Sequence, residues 1–75
     1  MGTLHRFGKV KIAVYPDDHG VPHVHVIGPG FKCSLDVETL ELLAGDMPAK
    51  ALKTARDWIG NNRATVTRAW KELNP

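Results

Sequence analysis

Three short segments in the first half of the chain alternate apolar with polar residues. They are KVKIAVY at 9–15, HVHVI at 23–27 and FKCSLDV at 31–37, and the breaks between them are PDDHGVP and GPG. A period of two is typical of strands with one buried face, and proline, glycine and aspartate suit the turns between them. We therefore predict an antiparallel sheet in which the second and third segments form a hairpin.

The register of this hairpin decides which side chains reach the core. A four-residue loop at 27–30 would place Val24 opposite Cys33. Both His23 and His25 would then lie on the other face, whereas a three-residue loop would move them into the apolar layer. A chain of 75 residues has a thin core that cannot bury two imidazoles cheaply. We therefore predict the four-residue loop, a buried Cys33 and a pair of histidines on an exposed face.

The second half of the chain carries an apolar stripe at helical spacing. Its members are Leu52, Ala55, Ile59, Val66, Ala69 and Leu73. Asn62 occupies the matching position, and the phase continues past Gly60, which predicts one long kinked helix or two nearly collinear helices. Pro48 suits a first helical turn. Trp58 and Trp70 flank the stripe, where we expect them to seal it against the sheet.

The predicted fold class is α+β, with residues 1–75 in one domain. We expect an antiparallel sheet of three or four strands, packed on one face by the long C-terminal helix or helix pair. The fourth strand would be brief, near residues 40–44, after a turn at 37–39. The N-terminal residues, including His5, are expected to be frayed and incidental.

Composition narrows the classes of protein to consider. Cys33 is the only cysteine, and a lone thiol suits a reducing cytosol better than an oxidising compartment. The first ten residues lack the apolar segment of a signal peptide, and no apolar run approaches the roughly 18 residues of a membrane span. The net charge of +2 permits a polyanionic partner without requiring one. We expect a cytoplasmic protein with no membrane association.

Three of the four histidines fall within HGVPHVHV, residues 19–26. Imidazole titrates near neutral pH and can both take and give a proton, so His23 and His25 are candidates for general base and acid in metal-independent RNA cleavage. His19 completes the cluster, and Asp17 or Asp18 could orient one of the rings. This interpretation predicts a catalytic site made of His19, His23, His25 and Asp18.

Three other interpretations of the cluster stay open. In the first, the histidines bind zinc, nickel or copper. Their spacing matches no established metal motif, so our expectation is that the protein holds no metal and no other cofactor. The domain could instead bind nucleic acid or a protein without chemistry. The predicted nucleic-acid-binding cations are Lys11, Lys32, Lys53, Arg56 and Arg63. Finally, the histidines could be turn formers and solvated strand residues.

The order of these segments resembles a widespread family of small bacterial proteins, the domain-of-unknown-function family numbered 4160. The resemblance covers residues 7–73. Its most specific part is an aspartate-histidine, proline and His-x-His pattern, carried here by Asp18, His19, Pro22, His23 and His25. The second half is matched by Gly45, Pro48, Leu52, Trp58 and Trp70. The family often has a proline pair and an aromatic residue between the histidines, where this chain has Val21, Pro22 and Val24.

The resemblance implies a compact α+β domain and, from the settings in which members are found, a toxin–antitoxin-like role in bacteria. The first functional hypothesis is a ribonuclease-like toxin that uses the histidine cluster. The alternative is a non-catalytic antitoxin or regulatory module that binds nucleic acid or protein. The expected partners are RNA or DNA and a cognate toxin or antitoxin protein, and a homodimer that completes the small core stays open.

Overall fold

The computed structural model describes residues 2–16 and 20–75. Within these residues it has five strands and two helices: β1 Gly2–Phe7, β2 Val10–Val14, β3 His23–Gly28, β4 Phe31–Asp36, β5 Leu42–Asp46, α1 Ala49–Asn61 and α2 Arg63–Leu73. The strands form one antiparallel sheet in chain order. The predicted α+β class is confirmed, with five strands in place of three or four. The strand predicted near 40–44 is β5, which begins two residues later.

The strand β1 has no counterpart among the predicted strands. It pairs with β2 across the two-residue loop of Gly8 and Lys9, and the φ of +57° at Gly8 is one that glycine adopts without steric cost. His5 lies opposite Ile12, and its ring stacks on Trp58 with centroids 4.7 Å apart and planes 6° apart. The expectation of a frayed N-terminus with an incidental His5 was therefore wrong.

The hairpin of β3 and β4 is tighter than predicted. Gly28 lies opposite Phe31, so the loop contains only Pro29 and Gly30. Gly30 has a φ of +78°, and proline followed by a left-handed glycine is the sequence that a type II turn prefers. The predicted pairing was wrong by two residues. A shift of two keeps every side chain on its own face, so the predicted burial of Cys33 is confirmed.

The core lies between one face of the sheet and the two helices. The sheet contributes Val10, Ile12, Val14, Val24, Val26, Cys33 and Leu35, and the rest comes from Val37, Met47, Ala55, Ile59, Val66 and Trp70. Trp58 packs against this cluster, so the prediction that both tryptophans seal the helices against the sheet is confirmed. Within the described residues, neither helix has the length and apolar character needed to cross a membrane.

The helical stripe is interrupted at Asn62 and not at Gly60. The backbone N–H of Asn62 donates to the carbonyl of Ile59 at 3.1 Å, one residue short of the α-helical acceptor. The side-chain amide of Asn62 donates to that acceptor, the carbonyl of Trp58, at 2.8 Å. The next helix starts as the N–H of Val66 donates to the carbonyl of Asn62. Of the two predicted arrangements, the chain adopts the pair of helices, and the apolar stripe continues from one to the other.

Candidate functional site

The helices pack on one face of the sheet, and the opposite face carries the side chains that alternate with the core residues. We call this second surface the open face. Its members, set by the strand registers, are Thr3, Arg6, Lys11, Ala13, His23, His25, Ile27, Lys32, Ser34, Asp36, Ala44 and Asp46. The prediction that His23 and His25 point away from the packed layer is confirmed, since both are half-buried while Val24 and Val26 are fully buried.

Four aromatic rings run in a row along one end of the sheet; we call them the ring row. Tyr15 meets His25 edge to face at 4.9 Å between centroids, and His25 meets His23 in the same way at 5.3 Å. His23 in turn lies 6.3 Å from Trp70, which belongs to α2. Edge-to-face contacts at these distances are favourable and restrict the rotation of each ring. The two imidazoles are therefore held in place by aromatic neighbours.

The proton on His23 is positioned by the backbone. Its Nδ1 lies 2.7 Å from the carbonyl oxygen of Val21, which can only accept a hydrogen bond. Nδ1 therefore carries the hydrogen, and in the neutral ring Nε2 carries the lone pair. This geometry gives His23 the tautomer of an imidazole that accepts a proton at Nε2.

A line of cations crosses the open face beside the ring row. Arg6 lies opposite Lys11, Lys11 opposite Ile27, and Ile27 opposite Lys32. We call Arg6, Lys11 and Lys32 the cation row. Ile27 lies two residues from His25 along β3, which separates the cation row from that ring by about 7 Å along the sheet.

A hollow of about 400 Å³ opens between the two rows. It is lined by Tyr15, His25, Ile27, Lys32, Cys33, Ser34, Ala44 and Gly45. The hollow combines an aromatic ring, an imidazole, an ammonium group and a hydroxyl, and its size falls at the lower end of small-molecule sites. Among the described residues no group of three or more histidine, cysteine, aspartate or glutamate side chains is placed to hold a metal ion.

The Cys33 thiol belongs to the core. Its Sγ donates to the Sδ of Met47 at 3.1 Å. Burial raises the pKa of this thiol, the negative charge of Asp46 raises it further, and Arg56 acts in the opposite direction. The thiol is thus kept in its protonated form, which is the poorer nucleophile.

The predicted catalytic and binding residues divide into three groups. His23, His25, Lys11 and Lys32 come together on the open face. The predicted positions of Asp18 and His19 lie outside the described residues. The remaining predicted cations, Lys53, Arg56 and Arg63, belong to the helices on the other side of the sheet.

Two of the helical cations hold the connection between β4 and β5. Arg56 donates through Nε to the carbonyl of Leu40 at 2.8 Å, and Arg63 donates through Nε to the carbonyl of Val37 at 2.9 Å. Leu40 has a φ of +64°, which costs a residue with a side chain on the order of 1 kcal/mol or more. Lys53 forms an exposed ion pair with Asp57. The two arginines therefore have a structural role, and nucleic-acid binding by these three cations stays a prediction.

Replacing Arg56 with methionine should destabilise the domain by about 1.5 kcal/mol, because the carbonyl of Leu40 loses a charged donor while the apolar stem is kept. Urea denaturation followed by circular dichroism measures the effect. Arg68→Met, on the exposed side of α2, is the control and should change stability by less than about 0.5 kcal/mol. Equal stability of the two variants would show that the Arg56 contact does not hold the turn.

Arg6 is a member of the site that sequence reasoning missed. Its position follows from the β1–β2 register, which places it directly opposite Lys11. The sequence did contain a signal for this hairpin at Gly8, because a glycine between LHRF and VKIAV is typical of a two-residue hairpin loop.

Trp70 was predicted as a core residue. Its contact with His23 depends on how α2 lies over the sheet and was not predictable from the sequence.

A family model described as "Domain of unknown function (DUF4160)" matches residues 10–71. The matched range contains β2 to β5, all of α1 and most of α2. No curated protein and no solved structure matches the chain.

Proposed function

We propose that this chain, which belongs to the DUF4160 family, binds single-stranded RNA on the open face of its sheet. The observation that carries the proposal is the line of Tyr15, His25 and His23 rings beside the cation row, on a sheet face that the helices leave uncovered. Proteins that bind single strands combine aromatic platforms for the bases with positive charge for the backbone. Both elements are present here, about 7 Å apart along the sheet.

Base stacking in the hollow would contribute to RNA affinity and would favour unpaired strands. A base that stacks on an aromatic side chain gains about 1–3 kcal/mol, with little dependence on sequence. Tyr15 and His25 line the hollow and are the side chains available there for such stacking. Bases in a duplex are stacked on one another and are not free to enter such a hollow, so the open face favours unpaired strands.

The carboxylates of the open face are hydrogen-bonded to the backbone, and of the two only Asp46 lies beside the cation row. Asp36 accepts the backbone N–H groups of Glu38 and Thr39 through Oδ1, at 2.7 and 3.0 Å. Asp46 accepts the N–H of Met47 at 2.9 Å. Both negative charges are thus turned toward backbone donors. The cation row therefore provides the positive potential from β1 to β4, and the negative charge of Asp46 acts at its end, beside Lys32.

Fluorescence anisotropy with an end-labelled oligouridylate of about ten nucleotides tests the proposal. We expect binding that weakens steeply as salt is raised, because cations that neutralise phosphates release counterions. A blunt RNA duplex of equal length is the control and should bind less tightly. Absence of binding at low salt, or tighter binding of the duplex, would contradict the proposal.

A second candidate function, cleavage of the bound RNA, is favoured by the tautomer of His23 and its 5.3 Å separation from His25. His23 would take the proton of a 2′-hydroxyl at Nε2, and the 2′-oxygen would attack the adjacent phosphorus. His25 would protonate the 5′-oxygen as the P–O5′ bond breaks. The products are a 2′,3′-cyclic phosphate and a free 5′-hydroxyl, and the protein would act as a toxin-like ribonuclease.

Substitution of His23 separates cleavage from binding, because His25 but not His23 lines the hollow. Induction of the wild-type protein should arrest bacterial growth, and His23→Ala or His25→Ala should restore growth while the purified variants stay folded. The purified protein should shorten oligouridylate and leave oligothymidylate intact, since DNA lacks the 2′-hydroxyl. Harmless induction together with intact bound RNA would instead support a non-catalytic antitoxin or regulatory module.

A further inference from the structure

We infer that the bound RNA crosses the β-strands at right angles, with its phosphates along the cation row, in a site of about three or four nucleotides. The inference rests on the proposed function and adds the direction and length of the bound segment. It also assigns a phosphate-binding role to Arg6.

The strand registers place the cation row on a straight line. Arg6, Lys11 and Lys32 come from β1, β2 and β4, and Ile27 of β3 fills the remaining position. Neighbouring strands lie about 4.8 Å apart, so the backbone positions of Arg6 and Lys32 are separated by about 14 Å across the sheet. The charges are thus spread along the direction perpendicular to the strands.

Each cation-bearing strand contributes one cation to the open face. The other open-face positions are Thr3 in β1, Ala13 in β2, and Ser34 and Asp36 in β4. An RNA segment that followed one strand would therefore meet one cation, whereas a segment that crosses the strands meets three. Coulombic attraction to the phosphates favours the crossing path.

The ring row lies on one side of this path. His25 is two residues from the cation row, and Tyr15 contacts His25 at 4.9 Å between centroids. Bases that point away from phosphates on the cation row would therefore enter the hollow and meet these rings. The two rows match the two sides of a single RNA strand, which carries phosphate charge along one edge and bases along the other.

The far end of the path is set by Asp46. It lies opposite Lys32 on β5, so the next position beyond the last cation carries a carboxylate. A phosphate placed there would meet a like charge, which limits the path to β1 through β4. A four-stranded RNA-binding sheet stacks two or three bases, and a path of this width therefore takes about three or four nucleotides.

A length series of labelled oligouridylates, from dinucleotide upward, tests the inference by fluorescence anisotropy. Affinity should rise with length and level off at about four nucleotides. A plot of log affinity against log salt should have a slope of about −2, since each of three neutralised phosphates contributes about −0.7 for a single strand. Arg6→Gln should weaken binding about fivefold at low salt and reduce the slope to about −1.4.

Two variants complete the experiment. Arg68→Gln removes one exposed charge from α2 and should leave both affinity and slope unchanged. Arg6→Lys should recover most of the affinity, which separates loss of charge from damage to β1. Affinity that keeps rising well beyond four nucleotides, or indifference to Arg6→Gln, overturns the inference while RNA binding stands. Failure of the longest oligonucleotide to bind overturns the proposed function as well.

Discussion

Gly45→Ala should strongly destabilise the domain. A Cβ at this position would lie 2.3 Å from the carbonyl oxygen of Lys32 and 2.8 Å from the Cα of Cys33. Both atoms belong to the backbone of β4, so the clash can be relieved only by separating β4 from β5. The φ of +80° adds strain for any residue with a side chain. The combined cost is about 3 kcal/mol or more, a large part of the stability of a small domain.

Thermal and urea denaturation of Gly45→Ala measure this cost, and Gly8→Ala is the matched control. Gly8 also has a positive φ, of +57°, but nothing lies within 4 Å of the Cβ it would gain. The Gly8→Ala variant should therefore lose only the stability that a positive φ costs an alanine, about 1 kcal/mol. Equal stability of the two variants would mean that β4 and β5 do not approach each other as closely as described.

Reversing the charges of Lys11 and Lys32 in the cation row should have the largest effect on RNA affinity. The double substitution Lys11→Glu and Lys32→Glu replaces two attractive charges beside the hollow with two repulsive ones. We expect affinity for oligouridylate to fall on the order of a hundredfold at low salt, with a smaller loss at high salt where the charges are screened. Anisotropy titrations at several salt concentrations measure both effects.

The control for this experiment is the double variant Lys50→Glu and Arg68→Glu. Both residues are exposed and lie on the helices, and the substitution changes the net charge of the protein by the same amount. Loss of affinity through net charge alone would be equal in the two variants. Such equality would argue against a binding site localised on the open face.

The faces of the sheet were predictable because the pattern of alternation determines them. Val24 and Val26 alternate with His23 and His25, and the small core admits only the aliphatic set. The exact pairing was not predictable in the same way, because shifts of two residues preserve the faces. The choice between a two-residue and a four-residue loop depends on the turn, and Pro29 with Gly30 favours the shorter one.

The parts of the site that escaped prediction depend on distant contacts. Arg56 and Arg63 have the spacing of a basic helix surface, but their acceptors are carbonyls 16 and 26 residues away in the chain. Arg6 joins the cation row through pairing of a strand whose alternation is broken by a bulge between Thr3 and His5. The sequence identifies these charged residues, but their hydrogen-bond acceptors and strand partners are determined by the tertiary structure.

Backbone amide chemical shifts, recorded while unlabelled oligouridylate is added to the isotope-labelled protein, give the most direct view of where RNA binds. Changes should concentrate on the open face and the hollow, at Lys11, Tyr15, His25, Lys32 and Ser34. Exposed positions of α1 and α2 should show little change. Shifts confined to the helices, or none under conditions of low salt, would contradict binding of single-stranded RNA at the open face.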